Sequence, residues 1–367
     1  MAKFLSALGL MSGTSCDGVD AAIIVTDGET VSELGPTYYR PYTDYERKRL
    51  RGTLKTARFW PAHTSVPEDI ASAARMLTDV HIEIVKSLLD ANGLSAAKVN
   101  LIGFHGQTVL HRPDQHRTIQ IGDAAMLANA TGIDVVYDFR SADMAAGGQG
   151  APLAPLYHVA RAHAIKERPL VVVNIGGVSN VTWIDGDRVL AFDCGPGNAP
   201  IDDWVHAQSG ATHDEDGRLA AQGKADETRI AGALAGPFFA KKPPKSLDRL
   251  DFTMKLADGL SPEDGAATLT AFTAAAIAKA AEHYPSPAAR ILVTGGGRRN
   301  STMMREIARL TNLPVDPVEA VGWRGDMVEA EAVAFLAVRH LRGLPLSLPT
   351  TTGVPRPTAG GKLAKAR

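Results

Sequence analysis

Residues 4–10 and 19–25 are apolar runs of strand length, separated by Met11-Ser12-Gly13-Thr14-Ser15-Cys16-Asp17-Gly18, a segment of turn formers. The pattern predicts strand, tight loop, strand. Residues 170–173 and 178–184 repeat it around Asn174-Ile175-Gly176-Gly177, and a device used twice predicts two related lobes. Helical spacing of Ile70, Ala74, Leu77, Ile84 and Leu88 predicts a helix over 68–92, closed by Gly93. Further helices are predicted over 265–284, where small residues suit either tight packing between lobes or an ordinary core helix, over 301–310 with Ser301 as N-cap, and over 327–340. Strands and helices alternate, which argues for an α/β fold. Residues 240–245 read as a Pro-stiffened solvated loop and 349–367 as a loosely ordered tail.

A chain of 367 residues, 45% of them apolar, can bury a large core and favours two domains. We place one lobe at 1–140, rejoined by 335–367, and the other at 141–334. Thirty-nine basic residues against forty acidic ones leave a formal charge of −1, so no broad electrostatic footprint points to nucleic acid or an anionic membrane. A phosphate site must then be local. The opening run to Ile24 is broken by Gly9, Ser12, Gly13, Thr14 and Asp17 and lacks the pattern of a signal peptide or membrane span, which predicts a soluble, cytosolic protein. The two cysteines, Cys16 and Cys194, are too few for a disulfide framework or a structural zinc site.

The glycine-rich turns carry the candidate chemistry. Phosphates need unobstructed backbone N–H groups, and a Gly and Ser/Thr turn between strands provides them. Gly13 to Gly18 fits, with hydroxyl donors on Ser12, Thr14 and Ser15 and with Asp17 and Asp20 as candidate Mg²⁺ contacts; a plain hairpin whose polar residues satisfy the backbone fits as well. Neither Gly-x4-Gly-Lys-Ser/Thr nor a helix-opening Gly-x-Gly-x-x-Gly at a first βα turn is present. Gly295-Gly296-Gly297, between the apolar strand ending at Thr294 and a capped helix, offers a third place where backbone can lie flat against a nucleotide.

Longer motifs join these turns: residues 9–20, His105-Gly106-Gln107-Thr108-Val109-Leu110-His111, Gln120-Ile121-Gly122-Asp123, Asp138-Phe139-Arg140, Gly147-Gly148-Gln149-Gly150, Asn174-Ile175-Gly176-Gly177, Phe192-Asp193-Cys194-Gly195-Pro196-Gly197-Asn198, and Gly325-Asp326 with Glu329-Ala330. With these motifs, from Leu8 to about Gly353, the chain resembles the anhydro-N-acetylmuramic acid kinases of bacterial cell-wall recycling. The resemblance implies a two-lobed, actin-like (ribonuclease H-like) α/β fold with a central cleft. It also implies a cytoplasmic homodimer that uses ATP and water to turn 1,6-anhydro-N-acetylmuramic acid into N-acetylmuramic acid 6-phosphate.

By the same resemblance Gly13, Thr14, Ser15, Cys16, Asp17, Gly18, Val19 and Asp20 form the ATP-phosphate loop, and Asp193 matches the family's catalytic carboxylate. Asn174, Gly176, Gly177 and Gly295 to Gly297 complete the expected nucleotide contacts. Asp193, beside Gly195-Pro196-Gly197, could serve as the base that activates water, or simply cap a turn. His105, Gln107 and Thr108 suit sugar hydroxyls better than zinc, though His105 and Gln107 could equally satisfy buried loop backbone. Arg140 suits the lactyl carboxylate of a muramic sugar, or an ion pair with Asp138 or Asp143. Asp123, Gln149 and Glu329 are weaker substrate candidates. Both cysteines are expected at the cleft, so that a thiol reagent inhibits and ATP protects.

Three departures from the family pattern stand out. Cys194 replaces the more usual Thr, Ala199-Pro200-Ile201 follows Gly-Asn, and Leu247-Asp248 replaces Thr-Gly after Lys245-Ser246. They leave the local pocket shape and the role of the 241–249 loop open. Two rival readings keep the loops: an actin-like ATPase that switches shape for a partner, and a kinase or phosphohydrolase for another sugar.

Overall fold

The computed structural model describes residues 3–61 and 64–367, so the first two residues of the opening run lie outside the description. These residues form two sheets. The first contains β1 (Leu5–Ser12), β2 (Gly18–Thr26), β3 (Val31–Pro41), β4 (Leu101–Arg112), β5 (Arg117–Ile121), β6 (Val135–Tyr137) and, from the far end of the chain, β12 (Lys362–Ala364). The second contains β7 (Leu170–Ile175), β8 (Val178–Asp185), β9 (Arg188–Pro196), β10 (Arg290–Thr294) and β11 (Val315–Pro317).

The strand orders are β3-β2-β1-β4-β6-β12, with β5 paired to β4, and β9-β8-β7-β10-β11. In each sheet three antiparallel strands form a meander, and the first of them then pairs in parallel with a strand much later in the chain. Each parallel crossover is helical, through Asp44–Phe59 and Glu68–Ala91 in one case and through Ala199–Ser209 and Pro262–Lys279 in the other. The repeated hairpin is therefore the visible end of a repeated five-strand unit, the arrangement of the actin-like, ribonuclease H-like class.

The chain divides into two compact units, Met1–Arg161 with Met327–Arg367, and Ala162–Asp326. Tyr157, whose hydroxyl donates to Glu331 Oε2, and Asp143, bonded to Thr352 Oγ1 at 2.5 Å, both belong to the first.

In the first unit the helix Val328–Leu341 lies against β1 and β4 at two glycines. A Cβ on Gly9 would come within 1.8 Å of Ala330 O, and one on Gly103 within 2.5 Å of Val333 O. Only residues without side chains let helix and sheet backbones approach so closely. The helix Glu68–Ala91 turns Ile70, Ala73, Leu77, Ile84 and Leu88 inward; Ala73, rather than Ala74, completes that face. In the second unit the helix Pro262–Lys279 is a core helix, capped by Ser261 and packed through Gly265 against Trp204.

Two local expectations are corrected. The helix beginning at Ser301 is capped by Asn300, whose side-chain Oδ1 accepts the Met303 N–H at 2.9 Å, because a cap must lie outside the helical turn it closes. The C-terminal segment is tied down: β12 pairs with β6, Lys362 meets Asp138 at 2.8 Å, Lys365 meets Asp134 at 2.7 Å, and Thr352 is buried against Asp143. Its Gly and Pro content reflects tight turns, which composition alone reads as looseness.

Candidate active site

The loop between β1 and β2 is closed by the Cys16 N–H donating to Gly13 O at 3.1 Å, with Cys16 in the left-handed region at φ +57°. This tight turn puts Thr14, Ser15 and Asp17 on the surface and buries Cys16. A Cβ on Gly13 would meet nothing nearer than Ser15 Oγ at 3.5 Å, so backbone here is open to a ligand; one on Gly18 would come within 2.5 Å of Arg40 O. Gly13, Thr14, Ser15 and Asp17 thus form the accessible tip, with Asp20 half-buried beside it. Gly18, Cys16 and Val19 shape it from behind.

Ser12 and Gln107 support the loop from below. Between Leu10 and Ser12 on β1 the partner strand β4 advances from Phe104 to Gln107, one residue too many. This bulge includes Gly106 at φ +69°, where a Cβ would come within 2.5 Å of Ile121 O. It aims the buried Gln107 amide at the loop, where Ser12 Oγ donates to Gln107 Oε1 at 2.6 Å and Gln107 Nε2 donates to Gly13 O at 3.1 Å. Tyr42 Oη adds a 2.8 Å contact to Ser12. Gln107 has the contacts of the alternative reading, in which it satisfies buried loop backbone: its amide bonds the loop and the residue is completely buried. No sequence signal pointed to Tyr42.

A second cluster of the same unit centres on Arg140. Its Nε and Nη2 lie 3.2 and 3.0 Å from His105 Nε2, and its Nη1 donates to Gly150 O at 2.6 Å. His105 Nδ1 donates to Gly106 O at 2.9 Å, which leaves Nε2 as the acceptor that the guanidinium requires. Burial, reinforced by the Arg140 charge, lowers the His105 pKa to about 3 and does the same for His111. His105 is therefore a neutral prop for Arg140. The carboxylates expected to compete for Arg140 are engaged elsewhere: Asp138 pairs with Lys362, and Asp143 accepts from Gly150 N at 2.6 Å and from Thr352.

The remaining first-unit candidates have structural contacts of their own. Thr108 Oγ1 accepts from Gln120 Nε2 at 3.2 Å, and Gln149 N donates to Thr352 O at 2.7 Å. Asp123 caps the helix Ala124–Thr131 by accepting from Met126 N at 2.9 Å, and Glu329 is exposed on the first turn of the helix Val328–Leu341.

In the second unit the two glycine turns and Asp193 come to one end of the sheet. Thr294 pairs with Asn174 across β10 and β7, and Cβ atoms on Gly295 or Gly297 would collide with Asn174 Oδ1 at 2.4 Å or Ile175 Cγ2 at 2.4 Å. Those glycines are packing residues. Gly176, Gly177 and Gly296, by contrast, have no atom nearer than 3.4 Å to a notional Cβ, so they are the open backbone positions.

Asp193 lies on β9, the edge strand, opposite Asn180 of β8. It is 6% exposed, its N–H donates to Lys245 O at 3.0 Å, and its Oδ2 accepts the Leu247 N–H at 2.8 Å. The flanking glycines serve packing: a Cβ on Gly195 would come within 2.5 Å of Ala276, and one on Gly197 within 2.2 Å of Gly176 O. Residues 240–245, read from sequence as a solvated connection, lead into Leu247, whose N–H contacts the carboxylate directly; composition carried no hint of this.

The expectation for the thiols is corrected. Cys16 and Cys194 are both buried, Cys194 Sγ donates to Ser179 O at 3.3 Å, and burial pushes the Cys194 pKa up. Burial screens both from a reagent in solvent.

The family model for anhydro-N-acetylmuramic acid kinase matches residues 5–366. Curated relatives of that name from Acidiphilium cryptum and Rhodopseudomonas palustris (strain HaA2) are each 54% identical, over 98% of this chain and 98% and 99% of theirs. Solved structures with a similar chain path include component A of the (R)-2-hydroxyglutaryl-CoA dehydratase of Acidaminococcus fermentans (12% identical, TM-score 0.49, 91% of this chain and 98% of that one). Another is a ROK-family glucokinase from Streptomyces griseus in complex with glucose and AMPPNP (12% identical, TM-score 0.42, 90% and 99%).

Proposed function

The chain belongs to the anhydro-N-acetylmuramic acid kinase family, and on that premise we propose that it converts 1,6-anhydro-N-acetylmuramic acid, ATP and water into N-acetylmuramic acid 6-phosphate and ADP in cell-wall recycling. The reaction makes two bonds and breaks two. Water oxygen attacks C1 as the C1–O6 bond breaks, and O6 takes the γ-phosphoryl group as the bond to ADP breaks.

Asp193 is the base that accepts the water proton. The support for this assignment is that its carboxylate is nearly buried and is oriented by the backbone N–H of Leu247 at 2.8 Å. Gly13, Thr14 and Ser15 present donors to the ATP phosphates, with Gly176, Gly177 and Gly296 as further open backbone positions. Arg140, propped by neutral His105, takes the lactyl carboxylate.

Magnesium fits the donor set. Asp17 and Asp20 offer hard oxygens beside the open loop, and no group of three or more His, Cys, Asp or Glu gathers among the described residues, so the ion would arrive with the phosphates. Bound there, it supplies charge neutralisation on the phosphate oxygens. Family membership also underlies our assignment of a cytoplasmic homodimer acting on free ATP and amino sugar, with neither nucleic acid nor membrane as partner; among the described residues no helix is long and apolar enough to cross a membrane.

The test is purified enzyme with Mg-ATP and a panel of amino sugars in ¹⁸O-water. Label at C1 of a phosphorylated product is expected, and product from an unbridged sugar alone would overturn the substrate assignment. Asp193→Asn is expected to abolish turnover while ATP still binds.

A further inference from the structure

Lys245 is a charged side chain in a nearly closed pocket, 3% exposed. Its Nζ donates to Phe238 O at 3.2 Å, lies 3.4 Å from His283 Nε2, and stands over the rings of Phe238 at 4.5 Å and Phe192 at 5.6 Å. Desolvation lowers its pKa, and the ring faces and the carbonyl return only part of what water supplied. An apolar side chain would fill an aromatic pocket at less cost. What lysine adds is direction: the ammonium must find the Phe238 carbonyl and the ring faces together, which fixes the loop in rotation as well as depth.

The loop's backbone reaches Asp193 at two points. Lys245 O accepts the Asp193 N–H at 3.0 Å, and Leu247 N–H donates to Asp193 Oδ2 at 2.8 Å. Because β9 is the edge strand, residues 245–247 occupy the place of a further strand and hold the main chain and the carboxylate of Asp193 together.

We propose that Lys245 is a positioning residue for the reaction: its caged ammonium fixes the 245–247 loop, and the Leu247 N–H thereby sets the rotation of the Asp193 carboxylate. The inference rests on the assignment of Asp193 as the base. It accounts for a departure noted in the sequence, since a contact made by backbone N–H survives the change of side chain at Leu247.

The experiment compares full-length Lys245→Met, Lys245→Arg and Asp193→Asn enzymes in steady-state turnover of the anhydro sugar with Mg-ATP, alongside direct measurement of ATP binding. Lys245→Met is expected to lose about 10²-fold in kcat, the scale of a small misplacement of a catalytic group, with KM for both substrates and ATP affinity unchanged. Lys245→Arg should recover part of the loss. ATP affinity in the Asp193→Asn, Lys245→Met double variant should equal that of Asp193→Asn.

Wild-type kcat in Lys245→Met overturns the proposal, as does a loss of kcat matched by an equal loss of ATP affinity. If Lys245→Met does not fold, Phe238→Leu, which removes a ring from beneath the ammonium, decides by the same kcat criterion. An active Asp193→Asn enzyme refutes the base assignment itself; an inactive one beside a fully active Lys245→Met refutes only the positioning role.

Discussion

Ser12 Oγ and Gln107 Oε1 meet at 2.6 Å, joining residues ninety-five positions apart in sequence, and the same amide reaches back to Gly13 O at 3.1 Å. The phosphate loop is therefore held by the neighbouring strand as well as by its own turn. Gln107→Ala would leave a buried hydroxyl and carbonyl short of a partner, costing about 1–3 kcal/mol. KM for ATP should rise by about tenfold, the equivalent of 1.4 kcal/mol, with the sugar KM unchanged. A rise confined to the sugar KM would return Gln107 to the substrate contacts.

Arg140 offers a guanidinium held on one side by His105 Nε2 and on the other by Gly150 O. Arg140→Lys keeps the charge and loses the fork. Its KM for the anhydromuramic sugar should rise by about ten- to a hundredfold, the worth of a charge-assisted hydrogen bond. Turnover of the 1,6-anhydro-N-acetylglucosamine analogue, which lacks the lactyl carboxylate, should not move. Equal effects on both sugars would remove Arg140 from carboxylate recognition.

Gly9 and Gly13 are four residues apart and should respond oppositely to alanine. At Gly9 the new methyl meets Ala330 O at 1.8 Å, and backbone cannot yield as a side chain can, so Gly9→Ala should lower stability by about 3 kcal/mol. At Gly13 it meets no atom within 3.4 Å. Gly13→Ala should leave the melting temperature unchanged and weaken ATP binding, and calorimetry with an ATP-binding titration separates the two.

His81 and His158 are completely buried with pKa lowered to about 4, and His105 and His111 are lowered to about 3, burial being the first cause in each. Unfolded, each titrates near 6.5. Below that value the unfolded chain takes up protons that the folded chain does not, so stability is full above about pH 6.5 and falls from there toward about pH 4. The loss should reach about 1.4 kcal/mol per histidine at one pH unit below the unfolded value. Urea midpoints between pH 7.5 and 5 measure it; a flat profile would mean that these rings protonate in place.

Much of the architecture was legible because apolar periodicity and Gly turns are local signals. The two hairpins, the helix Glu68–Ala91 and the α/β class follow from spacing along the chain. The turn formers at 11–18 likewise mark a loop whose tip at Gly13, Thr14, Ser15 and Asp17 is open, because turn chemistry too is a local signal.

What it could not determine is where a side chain is used once distant segments meet. A one-residue bulge in β4 aims Gln107 at the loop, helix packing explains Gly9, Gly195 and Gly103, and a loop with no compositional signature brought Lys245 and Leu247 to Asp193. Each of these depends on a register or a burial that only the folded chain sets. Local propensity decides which elements form; long-range packing decides which polar atoms remain available for chemistry.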